Sequence, residues 1–144
     1  MKHAANITRL AFDKVFQNLK PGMNEREVHG MLTGEYFRLG AEMEAYGSIV
    51  AGGDNACILH YVKNDQTLRD NDLILIDSGA QFEYYASDVT RTFPVGNKFS
   101  NEQRALYEIV LKANEEAIEM VKPGVTLPDI HSRAVEVLVE GLLR

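Results

Sequence analysis

Two aspartates beside segments that otherwise read as buried strand constrain this chain more than any other feature. Leu73 to Ile76 is a continuous apolar run that leads into Asp77-Ser-Gly. Asp88 leads into Val89 to Phe93, which is rich in β-branched and aromatic residues. Gly79 and the polar residues between the two runs predict an antiparallel hairpin. With its turn around Phe82 and Glu83, residues whose numbers sum to 165 face each other, and Asp77 then lies opposite Asp88. Directly opposed residues share a face, with Cβ atoms about 4.5–5.5 Å apart. Two ionised carboxylates that close repel unless a cation lies between them. Hard divalent metals such as Mn2+ or Mg2+ prefer oxygen ligands, so one reading is a divalent metal site. The other is that both aspartates cap strand ends or turns. A bulge would shift the register by one and send the carboxylates to opposite faces.

Few other residues compete for a chemical role. His60 ends the apolar run Cys57-Ile-Leu-His-Tyr61, which the texture predicts as strand; it is either an imidazole near the carboxylates or a hydrogen-bonded core histidine. Thr90 lies two residues past Asp88 and on a strand would share its face, where it could steady a ligand carboxylate or simply favour the strand. Tyr46 opens the first strand-like region and fits either core or pocket. Cys57, the single cysteine, reads as a buried inert thiol, and His3, His29 and His131 as structural or solvated. No phosphate-binding glycine loop and no Gly-x-Ser-x-Gly motif occurs.

The rest of the chain is helical, and its punctuation repeats. Ile7, Ala11, Val15 and Leu19 predict a helix that Lys20-Pro21-Gly22 stops, and Asn24 with Glu27 forms a capping-box pattern for the next. Ser100 with Gln103 starts a third helix, which Lys122-Pro123-Gly124 ends, and Thr126 caps a fourth. Shifted by 102 residues, Ile7 meets Ile109, Ala11 meets Ala113, the two Lys-Pro-Gly stops coincide, and Val28-His29 meets Ile130-His131. Residues 1–99 then form a first repeat with its strands and hairpin, and 100–144 the start of a second, within one partial domain.

Composition excludes several function classes. The 144 residues, 45% hydrophobic and 25% charged, suit an ordinary globular domain. A net charge of −6 argues against a nucleic-acid surface, and a lone cysteine fits a reducing compartment. With no apolar run long enough for a membrane span and no signal-peptide h-region, a cytoplasmic location without membrane partners is expected.

Taken in order, Ile-Leu-His60-Tyr, Leu-Ile-Leu-Ile-Asp77-Ser-Gly and Ser-Asp88-Val-Thr-Arg-Thr-Phe-Pro resemble the catalytic domain of aminopeptidase P and its relative prolidase. These are metallopeptidases of the methionine-aminopeptidase-like pita-bread fold. The resemblance implies an α+β class: a helix pair, antiparallel strands with a central hairpin, then a second helix pair. It further implies that Asp77 and Asp88 are ligands of a dinuclear centre, usually Mn2+, with Asp88 bridging. His60 becomes the substrate-side histidine near the leaving proline, and Tyr46 a substrate neighbour. The implied substrates are peptides with proline in second position. The family's other ligands, one His and two Glu, fall in segments with no counterpart here. The 144-residue chain by itself is therefore expected to be inactive, to bind metal weakly and to offer an open sheet edge for self-association. Prolidase, and a metal-free pita-bread binding module, are the alternatives the same motifs allow.

Overall fold

The computed structural model describes residues 1–143, which divide into two compact units, Met1–Lys98 and a second that begins at Phe99. The first unit opens with helix α1 (Lys2–Asn18), which gives way at Leu19 to extended backbone. Lys20 precedes Pro21, which disfavours helical geometry, and Gly22 turns the chain with φ +88. Helix α2 (Glu25–Arg38) follows. Asn24 accepts from the Arg26 N–H at 2.9 Å, and Glu27 accepts from the Asn24 N–H at 2.9 Å. The predicted capping box is therefore present.

Among the described residues, six short strands form two antiparallel sheets. Strands β2 (Ile49–Gly52), β3 (Leu73–Ser78) and β6 (Val89–Pro94) make one, in the order β2-β3-β6. Strands β1 (Met43–Glu44), β4 (Ala80–Phe82) and β5 (Tyr85–Ala86) make the other, in the order β1-β4-β5. Along β3, Ile74, Ile76 and Ser78 are buried under the helices, while Leu73, Leu75 and Asp77 point the other way. The core joins Ile7, Ala11 and Val15 of α1 and Val28, Leu32 and Tyr36 of α2 to Val50, Ile74 and Ile76 of the sheet.

Three expectations about this unit need correction. The hairpin turns at Glu83 and Tyr84, both left-handed with φ +48 and +63, the geometry of a two-residue primed turn. Facing residues therefore sum to 167, and Asp77 lies opposite Thr90 rather than Asp88. The shift is even, so the faces are preserved. The run Cys57–Tyr61 is not a strand. Gly53–Cys57 forms a 3-10 turn, the next residues are irregular, and His60 takes φ +53. Ile58 and Leu59 lie on the surface, and Cys57 is exposed rather than buried.

The second unit is a helix pair, α3 (Asn101–Glu119) and α4 (Leu127–Leu142). Ser100 and Thr126 head capping boxes closed by Gln103 and Asp129. A Cβ on Gly141 would fall 2.5 Å from Ile109, so the helices approach closely there. Arg133 Nε donates to Glu116 at 2.8 Å, and that guanidinium holds the Glu116 carboxyl below its ordinary range. The local features recur at the sequence shift: Asn24 and Thr126 are equivalent caps, and Gly22 and Gly124 take φ +88 and +92. Among the described residues no helix is long and apolar enough to cross a membrane.

Candidate metal centre

Asp77 leaves the helix-covered face because the strand alternates, and Asp88 reaches the same side because it lies two residues before Thr90. The two are diagonal neighbours, a spacing that side chains can span. What makes the diagonal close is Gly79, which the register sets opposite Asp88 just past the end of the β3–β6 ladder. A Cβ built on Gly79 would lie 2.6 Å from the Ser87 carbonyl carbon and closer still to its oxygen. Only glycine fits there.

Hydroxyl networks pin the residue next to each aspartate. Beside Asp77, the Ser78 hydroxyl meets Ser48 Oγ at 2.6 Å and the Tyr36 hydroxyl at 2.7 Å, all buried. Burial pushes the Tyr36 phenol up to about 12, so it remains a neutral partner. Beside Asp88, the Ser87 hydroxyl meets Thr8 Oγ1 at 2.6 Å, and the Ala80 N–H donates to both oxygens at 3.0 Å. Helix α1 thus holds one aspartate's neighbour and helix α2 the other's. None of these hydroxyl residues was singled out as part of the site by the sequence, because a single hydroxyl in a helix, loop or strand carries no periodic signal.

Tyr46 lies where the two carboxylates converge. Its hydroxyl is 2.6 Å from Asp77 Oδ1 and 2.9 Å from Asp88 Oδ1. The segment that carries it is tied down on both sides. Glu44 accepts from the Thr33 hydroxyl and meets His29 Nε2 at 2.8 Å, while the Ala45 N–H donates to the Gly79 carbonyl at 2.8 Å. Downstream, Asn64 imitates a neighbouring strand, accepting from the Val50 N–H and donating to the Ser48 carbonyl, each at 2.9 Å. Burial, then the two carboxylate acceptors, push the Tyr46 phenol far above its ordinary value, so it keeps its proton.

One hydroxyl proton cannot satisfy two carboxylates. Among the described residues neither aspartate has an ion pair, and Tyr46 supplies the side-chain donor to both. Two convergent oxygens short of positive charge are what a hard divalent cation requires, so the donor set fits part of such a site. It is only part, since no third His, Cys, Asp or Glu joins them among the described residues.

A cavity of about 270 Å3 opens on the same side. Its floor is the sheet face turned away from the helices, Ile49, Ala51, Leu75, Asp77 and Thr90, and its wall is Ala56–His60, the end of the 3-10 turn and the irregular residues after it. His60 therefore shares a cavity with Asp77 and Thr90, although it is not on a strand. Asp88 and Tyr46 are not among the lining residues.

Residues 1–144, the whole chain, match the family model for metallopeptidase family M24. The chain belongs to metallopeptidase family M24. It is 46% identical over 143 residues to the Xaa-Pro aminopeptidase of Haemophilus influenzae, covering 99% of this chain and 33% of that protein. Among solved structures, Pseudomonas aeruginosa aminopeptidase PepP superposes with a TM-score of 0.96 at 46% identity, over all of this chain and 33% of its own. A zinc-substituted Escherichia coli aminopeptidase P in complex with product superposes at 0.95 with 40% identity, over 97% of this chain and 32% of its own. The M24 chain thus spans about a third of the length of the relatives it matches, and over that third it has their pita-bread fold. Enzymes of this metallopeptidase family work with divalent metal.

Proposed function

We propose that this chain forms part of the catalytic domain of an Xaa-Pro aminopeptidase, and that Asp77 and Asp88 hold a pair of divalent ions, Mn2+ in the native protein. The observation that carries this is the convergence of both carboxylates on the Tyr46 hydroxyl, beside a cavity that also receives His60. When bound, such an ion pair activates water and polarises the scissile carbonyl. The chain's own residues do the positioning. Tyr46 orients both carboxylates, and Thr90 stands opposite Asp77 on the same face. His60, at the cavity wall, offers an imidazole hydrogen bond to the substrate's proline side. Substrates are peptides with proline second, and the protein is cytoplasmic.

Calorimetric Mn2+ titration of the full-length protein, with hydrolysis of a peptide bearing proline in second position, tests the assignment. Stoichiometric Mn2+ and cleavage before proline are expected, with both lost in Asp88→Asn while the fold persists. A folded full-length protein that binds no Mn2+ would instead favour a metal-free binding module. The 144-residue chain, with two ligands of a larger set, is expected to bind Mn2+ weakly and to be inactive.

A further inference from the structure

Glu25, the first residue of α2, is a fully buried carboxylate that the functional reading does not use. Four donors converge on it. Oε1 accepts from the Gly52 N–H at 2.8 Å and from Asn55 Nδ2 at 3.0 Å. Oε2 accepts from the Tyr61 hydroxyl at 2.7 Å and from the Gln66 N–H at 3.0 Å. Asn55 also donates to the Tyr61 oxygen at 3.0 Å, which closes the set. Among the described residues no cation pairs with Glu25. Its compensation comes from these donors and from the amino end of its own helix.

The donors are not scattered. Gly52 and Asn55 come before the wall residues Ala56–His60 in the chain, Asn55 directly so, and Tyr61 follows His60. The 3-10 turn rests on β2 and β3, but no side chain from Gly53 to His60 is buried, Ile58 and Leu59 are exposed, and His60 is in a left-handed conformation that most residues avoid. The core contributes little and one carboxylate closes the loop at both ends. We propose that Glu25 is the positioning residue for the His60 wall, and so sets how tightly substrate is held without taking part in the chemistry. The effect on substrate rests on the peptidase reading above; the effect on the wall does not.

Glu25→Gln is the informative variant. Each oxygen accepts from a backbone N–H, which can only donate, so either orientation of the Gln amide sets its NH2 against one of them. Amide hydrogen exchange over residues 53–61 is expected to quicken on the order of tenfold in the full-length protein. With a peptide bearing proline in second position, KM is expected to rise on the order of tenfold and kcat to stay within about twofold. Unchanged exchange would overturn the proposal, as would faster exchange accompanied by a fall in kcat at constant KM. Should Glu25→Gln fail to fold, Tyr61→Phe removes one donor and keeps the ring, and the same pattern in smaller degree is expected; its absence overturns the proposal equally. If the unaltered protein cleaves no such peptide, the peptidase reading fails, and the exchange comparison alone decides whether Glu25 holds the wall.

Discussion

Replacing Gly79 with alanine tests the claim that close backbone approach creates the site. The added Cβ would lie 2.6 Å from the Ser87 carbonyl carbon, whereas carbon atoms pack at about 3.5–4.0 Å. The two arms of the hairpin must therefore part by roughly 1–1.5 Å, since the Cβ would lie closer still to the Ser87 carbonyl oxygen, and that is enough to break bonds that now span about 3 Å. At stake are the Ser87 N–H to the Ala80 carbonyl, the Ser87 hydroxyl to the same carbonyl and the Ala80 N–H to Ser87 Oγ, each at 3.0 Å. At about 1 kcal/mol each, less under 1 kcal/mol regained from the stiffer unfolded chain, the net loss is about 2–3 kcal/mol. Urea unfolding at neutral pH reads it directly. Because Asp88 is the next residue, Mn2+ affinity in the full-length protein should fall as well. A stability loss below about 0.5 kcal/mol with metal binding intact would refute the reasoning, since the hairpin would then have opened without cost.

Other perturbations should behave differently. Gly34 sits inside α2 with nothing near a built Cβ, so Gly34→Ala should stabilise the protein by about 0.5–1 kcal/mol in the same urea titration. Asn24→Ala removes the cap of α2 and the 2.9 Å bond from its amide to the Asp65 carbonyl, and should cost about 1–2 kcal/mol by thermal or urea unfolding. Tyr36 and Tyr61 are both pushed up to about 12, chiefly by burial. Their neutral forms are favoured in the folded state, so this stabilisation is complete below about pH 10 and is lost as pH rises from about 10 to 12, at roughly 1.4 kcal/mol per unit for each group. Unfolding free energy measured from pH 9 to 11.5 should fall over that window, and less steeply in Tyr36→Phe.

How much of this was legible in the sequence depends on how far apart the interacting residues lie. The capping boxes at Asn24 and Ser100 and the cap at Thr126 were readable because the partners sit within three residues. The shared face of Asp77 and Asp88 was readable too, although the pairing was not. The turn lies one residue later than the composition suggested, and moving a turn by one residue moves the register by two, which leaves every side chain on its face. The His60 segment was misread because Cys57-Ile-Leu-His-Tyr61 has the texture of a buried strand. Its apolar side chains instead line a cavity or face solvent, and hydrophobicity alone does not separate those fates.

The parts that escaped sequence reading are polar residues whose partners are distant in the chain. Glu25 looks like an ordinary acidic residue in a helix's first turn until Gly52, Tyr61 and Gln66, up to 41 positions away, are seen to donate to it. Thr8 reaches Ser87 across 79 positions. A buried polar group is tolerated only when its partners are supplied, so its burial is a property of the assembled fold and not of its neighbours in sequence. The consequence bears on function. The apolar pattern brings Asp77 and Asp88 to one side of a sheet, but a shared side alone does not make two carboxylates converge. That convergence depends on Gly79, Ser78, Ser87, Thr8 and Tyr46, residues of which the hydrophobic pattern reveals nothing.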